Sequence, residues 1–189
     1  MKVCIGIATT GLIRIETLGS VLGIMPTIPG EVLVTYQASC YVHVNRTNIV
    51  QKAMQERADY LLFVDSDMMF AVNSFGLLFS QQKDIIGANY NMRRLPLRST
   101  VKMSRESTNE KPTKWSKEPF KCYAVPTGLM LIKMSVFDRI AKPWFAYKWA
   151  EENMLVGEDV WFCEQAYQAG IEVWCDPRIT IKHIGEFPY

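Results

Sequence analysis

Residues 60–67 read Tyr-Leu-Leu-Phe-Val-Asp-Ser-Asp, an apolar run that delivers two carboxylates, Asp65 and Asp67, at its end. On extended backbone alternate side chains share a face, so both can address one cation. Two anions this close repel unless donors or a cation neutralise them, and a hard divalent ion with oxygen ligands is the usual solution. A loop-capping pair of aspartates is the other reading of the same residues. Further along, Gly157 precedes Glu158 and Asp159 at the start of a helical pattern, where free backbone N–H groups favour negative charge. A late apolar run ends at His183, which is either an ordinary surface or core histidine or, from its place at the end of a strand, a nitrogen ligand.

These groups need elements to hold them. Residues 2–8 (KVCIGIA) read as a buried strand that ends in the turn Thr9-Thr10-Gly11. Ile15, Leu18, Val21, Leu22 and Met25 recur at helical spacing until Pro26 and Pro29. A strand over 31–36 follows, then a helix capped by Asn45 with the stripe Ile49, Val50, Ala53, Met54 and Ala58, then the 60–64 strand. Asp84 to Tyr90 and Thr127 to Lys133 predict further strands, Ser135 caps a short helix to Ile140, Glu158 to Ala169 is a helix closed by Gly170, and 171–175 is a strand. Strands alternating with helices predict an α/β fold: a Rossmann-like domain with a mostly parallel sheet, helices on both faces, and ligands at the carboxyl ends of the strands.

The chain has 189 residues, 49% hydrophobic and 21% charged, which is one self-supporting domain without disorder on a large scale. No apolar run approaches the ~20 residues of a membrane span. The net charge of +2 gives no case for nucleic acid as a partner. Its distribution is uneven: between Arg93 and Lys121 nine Lys and Arg face three Asp and Glu, a local +6, which leaves −4 for the rest. That segment also holds Pro96, Pro112 and Pro119 and fits neither period, so a long mobile loop over about 91–121 is expected. The five cysteines show no ligand spacing, and reduced thiols in a cytoplasmic compartment are expected.

An Asp-x-Asp after a strand (YLLFVDSDMMF), a later Gly-Glu-Asp opening a helix (GEDVWFCEQAYQAG) and a histidine after one more strand (IEVWCDPRITIKHIG) together resemble the GT-A glycosyltransferases, especially the family 2-like nucleotide-sugar-dependent enzymes. An aspartate pair of the haloacid dehalogenase type is a weaker match: it wants the pair after the first strand and a Thr or Val beyond it, where Met68-Met69 stand. The resemblance implies one GT-A domain, with a nucleotide-binding part at about 1–90 and an acceptor and catalytic part at about 122–189. It implies transfer of a sugar from a nucleotide diphosphate sugar to a hydroxyl of a glycan, protein or lipid. A bound metal absorbs the charge of the leaving diphosphate, and carboxylate plus imidazole suits Mn2+, with Mg2+ as a substitute.

By the same resemblance Asp67 and His183 ligate the metal, Asp65 reaches the ribose or the metal, and Ser66 lies between them in the donor site. Asp159 is the general base of an inverting reaction and Glu158 holds the acceptor. Thr9, Thr10 and Arg46 are expected at the nucleotide, although Ala8-Thr9-Thr10 departs from the family pattern, and Arg93 is the loop residue expected to reach phosphate. Gly128 would let backbone approach the sugar, and Trp144, in the aromatic run 143–149, is a candidate acceptor platform. A sugar nucleotidyltransferase and a non-catalytic carbohydrate-binding module are the competing functions. Because the family usually adds acceptor-binding elements, other domains of a longer polypeptide are further candidate partners.

Overall fold

The side chains of Lys2–Thr9 (β1) divide between two cores by strict alternation: Val3, Ile5 and Ile7 point to one, Cys4 and Ala8 to the other. The strand is therefore buried on both faces, as its unbroken apolar run requires. Tyr60–Asp65 (β3) divides in the same way, Leu62 and Val64 opposite Leu61 and Phe63, and so does Leu129–Lys133 (β7). This is a computed structural model, which describes residues 1–93, 97–105, 116–149 and 155–185.

The remaining main strands are Glu31–Ala38 (β2), Ile85–Ala88 (β5), Phe120–Cys122 (β6) and Val173–Asp176 (β10), and the seven pair in the order β2-β1-β3-β7-β5-β10-β6. Five strands run parallel to one another, while β7 and the edge strand β6 run against them. The sheet is thus mostly parallel, as expected, but the 127–133 strand is reversed. Helices cover both faces. Ile15–Ile24 (α1) and Ser74–Ser80 (α3) pack on one, and Val42–Gln55 (α2), Val136–Arg139 (α4) and Glu158–Gln168 (α5) on the other.

Two small ribbons stand apart from the main sheet. Met68–Phe70 (β4) pairs antiparallel with Ile181–His183 (β11), which sets His183 opposite Met68, one residue from Asp67. Lys148–Trp149 (β8) pairs with Leu155–Val156 (β9) just before α5. The Ser20 hydroxyl of α1 accepts a hydrogen bond from the Phe70 N–H at 3.0 Å and so ties the first ribbon to the domain.

Several local expectations are corrected. The α1 stripe is rotated: Thr17, Ser20, Val21 and Ile24 face the core, whereas Ile15, Leu18 and Leu22 are exposed. Ser135 stands at the N-cap position of α4 as expected, whereas Asn45 does not cap α2. Asn45 sits inside α2, where its amide donates to the Thr9 carbonyl at 3.0 Å, and Ser135 makes no side-chain cap. The described part of the 91–121 segment is pinned rather than free. Asn91 bridges to Ser99 and Lys102 to Ala124, Val101 is buried, and residues 120–122 add the edge strand. Residues 94–96 and 106–115 of that segment lie outside the described residues.

Gly6 shows how tightly α2 sits on the sheet. A Cβ there would stand 2.2 Å from Cγ2 of Ile49, a stiff β-branched side chain. Gly6→Ala is therefore expected to destabilise the protein by about 1–3 kcal/mol through overpacking, read as a lower urea midpoint at unchanged slope.

Candidate active site

The carboxyl end of β3 is the centre of the site. β3 stops at Asp65, and Ser66-Asp67 form a turn before β4, so the two carboxylates do not share an extended face. They go to different partners. Asp65 Oδ1 accepts from Nη2 of Arg46 at 2.8 Å, while Asp67 Oδ2 lies 2.9 Å from Nη1 of Arg93 and 3.4 Å from Nε2 of His183. A single cation bridging both aspartates is not what the geometry builds.

Arg46 lies within α2, with its side chain 3% exposed, and it joins three elements. Besides Asp65 of β3 it donates from Nε to Oε1 of Glu158, the first residue of α5, at 3.1 Å. Its guanidinium also lies 5.5 Å from the centroid of the Phe63 ring. Burial works against the charge, but Asp65 and then Glu158 outweigh it and hold the guanidinium above its ordinary value. Nη1 is buried without a partner among the described residues. The expected contact with a nucleotide gives way to an internal ion-pair network.

Asp159 stands next to this network. Its Oδ1 accepts from the Val160 N–H at 2.7 Å. Burial, and then the neighbouring Glu158 charge, push its carboxyl up to about 6, against a smaller pull from that N–H and from Arg46. Glu158 is itself buried and its Oε1 is committed to Arg46, so it holds the site together rather than faces a ligand. Tyr147 extends this corner outward. It is 44% exposed and meets the His43 ring edge-on at 5.2 Å.

His183 is oriented from behind. Its Nδ1 lies 3.3 Å from the Asn91 carbonyl, which can only accept, so Nδ1 carries the hydrogen. Nε2 then faces the Asp67 carboxylate. Carboxylate oxygen and a carbonyl-backed imidazole form a donor set that fits a divalent transition ion. Asp65 is not in it, and among the described residues no group of three His, Cys, Asp or Glu is placed to hold an ion. Burial raises the Asp67 carboxyl, yet His183 and then Arg93 bring it below the ordinary range.

The other expected residues fall in different places. Arg93 reaches the site as expected, but on Asp67 and on the Ile184 carbonyl at 3.3 Å. Thr9 is buried, with its hydroxyl donating to the Leu12 carbonyl at 2.6 Å and accepting from the Gly11 N–H at 3.1 Å, so it shapes the turn after β1. Thr10 is exposed beside it, and Ser66 lends its carbonyl to the Arg14 N–H at 2.9 Å. Gly128 is required by packing: a Cβ would lie 2.3 Å from the Tyr90 hydroxyl oxygen and 2.7 Å from Cε of Met68. Trp144 is 3% exposed against Phe137, with Lys142 Nζ 4.6 Å from its ring centroid, so it offers no platform. Sequence patterns missed Tyr90, whose hydroxyl accepts from the Gly128 N–H at 3.2 Å and whose ring meets His183 edge-on at 5.3 Å. Only its position at the end of a predicted strand pointed to it.

No family model and no curated protein matches the sequence. Solved structures do match the fold. A197 from STIV superposes with a TM-score of 0.68 at 18% identity, over 98% of this chain and 87% of that one. GalNAc-T7, solved with UDP, GalNAc and Mn2+, superposes with a TM-score of 0.61 at 15% identity, and S. aureus TarS 1-349, solved with UDP-GlcNAc, with 0.55 at 14%. This chain is covered at 98% and 100% in those two, yet it spans only 44% and 60% of their lengths. The fold is a single Rossmann-like GT-A domain.

The Arg46 network makes a sharp stability claim. Arg46→Met leaves the Asp65 and Glu158 carboxylates close together without their cation, and a loss of about 3–5 kcal/mol is expected in urea unfolding. Adding Asp65→Asn and Glu158→Gln to the same chain should recover most of it.

Proposed function

We propose that the chain is a metal-dependent glycosyltransferase that moves a sugar from a nucleotide diphosphate donor to an acceptor hydroxyl. The observation that carries this reading is that Asp67 meets His183 at 3.4 Å just past the carboxyl end of β3, while Asp65 at that strand end is joined through Arg46 to the first turn of α5, where Asp159 stands. The fold shared with GalNAc-T7 and TarS supports it.

Asp67 and His183 would hold Mn2+, or Mg2+ in its place, and the ion would supply charge stabilisation for the leaving diphosphate. Asp159 takes the proton of the acceptor hydroxyl as that oxygen attacks the anomeric carbon. The bond from that carbon to the phosphate oxygen breaks, and the diphosphate leaves with the electron pair. Val160 N–H fixes Oδ1 of Asp159, which leaves Oδ2 for the proton. A base whose pKa lies just below neutrality is ionised at working pH and still basic enough to accept. Glu158 acts as a positioning residue through Arg46. Arg93 is placed to exchange Asp67 for a donor phosphate, since its side chain is half exposed and its fork suits either anion.

Nucleotide release from a panel of nucleotide sugars, with acceptor mixtures and with Mn2+ or chelator, tests the activity. Release that depends on Mn2+ is expected with at least one donor, and none with any donor would overturn the reading. Asp159→Asn should lower kcat by about 10²–10⁴-fold. It should also remove an ascending limb in kcat/KM near pH 6, since wild-type activity rises as the carboxyl ionises with increasing pH. For the metal, Asp67→Ala and His183→Ala are each expected to weaken Mn2+ binding, followed by electron paramagnetic resonance, by about tenfold or more while both chains stay folded. Unchanged Mn2+ affinity in both variants would place the ion elsewhere.

A further inference from the structure

A cavity of about 800 Å3 lies along the second half of α5 and the edge strand β6, within the size range of small-molecule sites. Neither Asp67 nor Asp159 lines it; Arg105, Tyr123, Lys148, Glu164 and Tyr167 do. Glu164 is the unusual member. It stands in the middle of a helix, where an acid ordinarily faces water, but its side chain is only 10% exposed. A buried carboxylate is costly unless donors reach it. The Tyr123 hydroxyl donates to its Oε1 at 2.7 Å, and Arg105 Nε stands farther off at 3.9 Å. Burial and then Glu164 push the Tyr123 hydroxyl above its ordinary range, so it remains a donor.

The rest of the wall supplies what a carboxylate alone does not. The Tyr167 ring is tilted 57° to that of Tyr123, with centroids 6.0 Å apart, and it is 69% exposed. One aromatic face is therefore open at the mouth. Three cations rim the cavity. Among these, Lys121 is paired with Glu172 and Arg105 loosely with Glu164 at 3.9 Å, but Arg105 is 69% exposed and Lys148 is also exposed, so both can turn to a ligand. A carboxylate and a phenol bind sugar hydroxyls, an open ring covers the apolar C–H face of a sugar, and Arg105 and Lys148 can pair with an acid group.

We propose that this cavity binds an acidic oligosaccharide. Its relation to the active site follows from the chain. Lys148 stands in the β8–β9 ribbon that leads into α5, and Glu164 lies six residues along α5 from Glu158, a rise of about 9 Å. A short oligosaccharide spans that distance, so on the transferase reading above, on which this second step rests, the cavity holds the remoter sugars of the acceptor.

The test uses the full chain without donor or metal, so that its outcome is separate from catalysis. Backbone amide NMR is recorded during titration with trigalacturonate, with the neutral cellotriose, and with inorganic phosphate. Saturable shifts centred on Lys148, Glu164 and Tyr167 are expected with trigalacturonate, with binding about tenfold weaker for cellotriose and no shifts there with phosphate. Tyr167→Ala changes an exposed side chain and should keep the fold while weakening trigalacturonate by about fivefold or more. Arg105→Ala with Lys148→Ala should erase the preference for the acid. Equal affinity for the neutral sugar, the same shifts with phosphate alone, shifts centred elsewhere, or none would each overturn the proposal. If the sugar binds here while no donor is ever turned over, the cavity stands and the transferase reading falls.

Discussion

The buried guanidinium of Arg46 is the constraint around which the site is arranged. It takes one carboxylate from β3 and one from α5 while remaining part of α2. A lysine would present one compact, strongly hydrated charge at that point, whereas the flat fork of arginine can address two acids from different nitrogens. Because Arg46 partly offsets the Glu158 charge, that residue can remain beside Asp159, whose carboxyl is pushed up to about 6 by burial and then by Glu158. The same guanidinium holds Oδ1 of Asp65. One buried cation thus ties together acids from two elements at this end of the sheet.

Much of the fold was legible in the sequence because the core strands are buried on both faces and so read as unbroken apolar runs. The direction of β7 was not, since antiparallel and parallel buried strands have the same composition. Nor was the face of α1 that meets the core, because Thr17 and Ser20 are buried and Ile15, Leu18 and Leu22 are not. A hydroxyl that bonds back to its own helix, as Ser20 does to the Glu16 carbonyl at 2.8 Å, can be buried without an obvious apolar signature.

The site divides along similar lines. Asp67 and His183 are brought together by the β4–β11 ribbon, and Asp159 opens α5, as short motifs at strand and helix ends had suggested. What sequence could not show was pairing at long range. Arg46 and Glu158 are separated by 112 positions, and nothing in either local pattern distinguishes a buried ion pair from a ligand contact. Trp144 failed for a different reason: an aromatic run has the same letters whether its rings face a sugar or Phe137.

The β4–β11 ribbon has only three residue pairs and lies outside the central sheet, whereas Arg46 and Glu158 are rooted in helices that close the main core. A ribbon of that size has little stability of its own, and segments of this kind open in local fluctuations that leave the rest of a domain intact. Asp67, His183 and the Ile184 carbonyl that receives Arg93 all ride on or beside it. The two halves of the site therefore have unequal lifetimes: the histidine side can breathe at low free-energy cost while the carboxyl beside α5 stays in place. Amide exchange at residues 181–184 would be fast relative to α2, and an occupant that bridges Asp67 and His183 would slow it without touching the core.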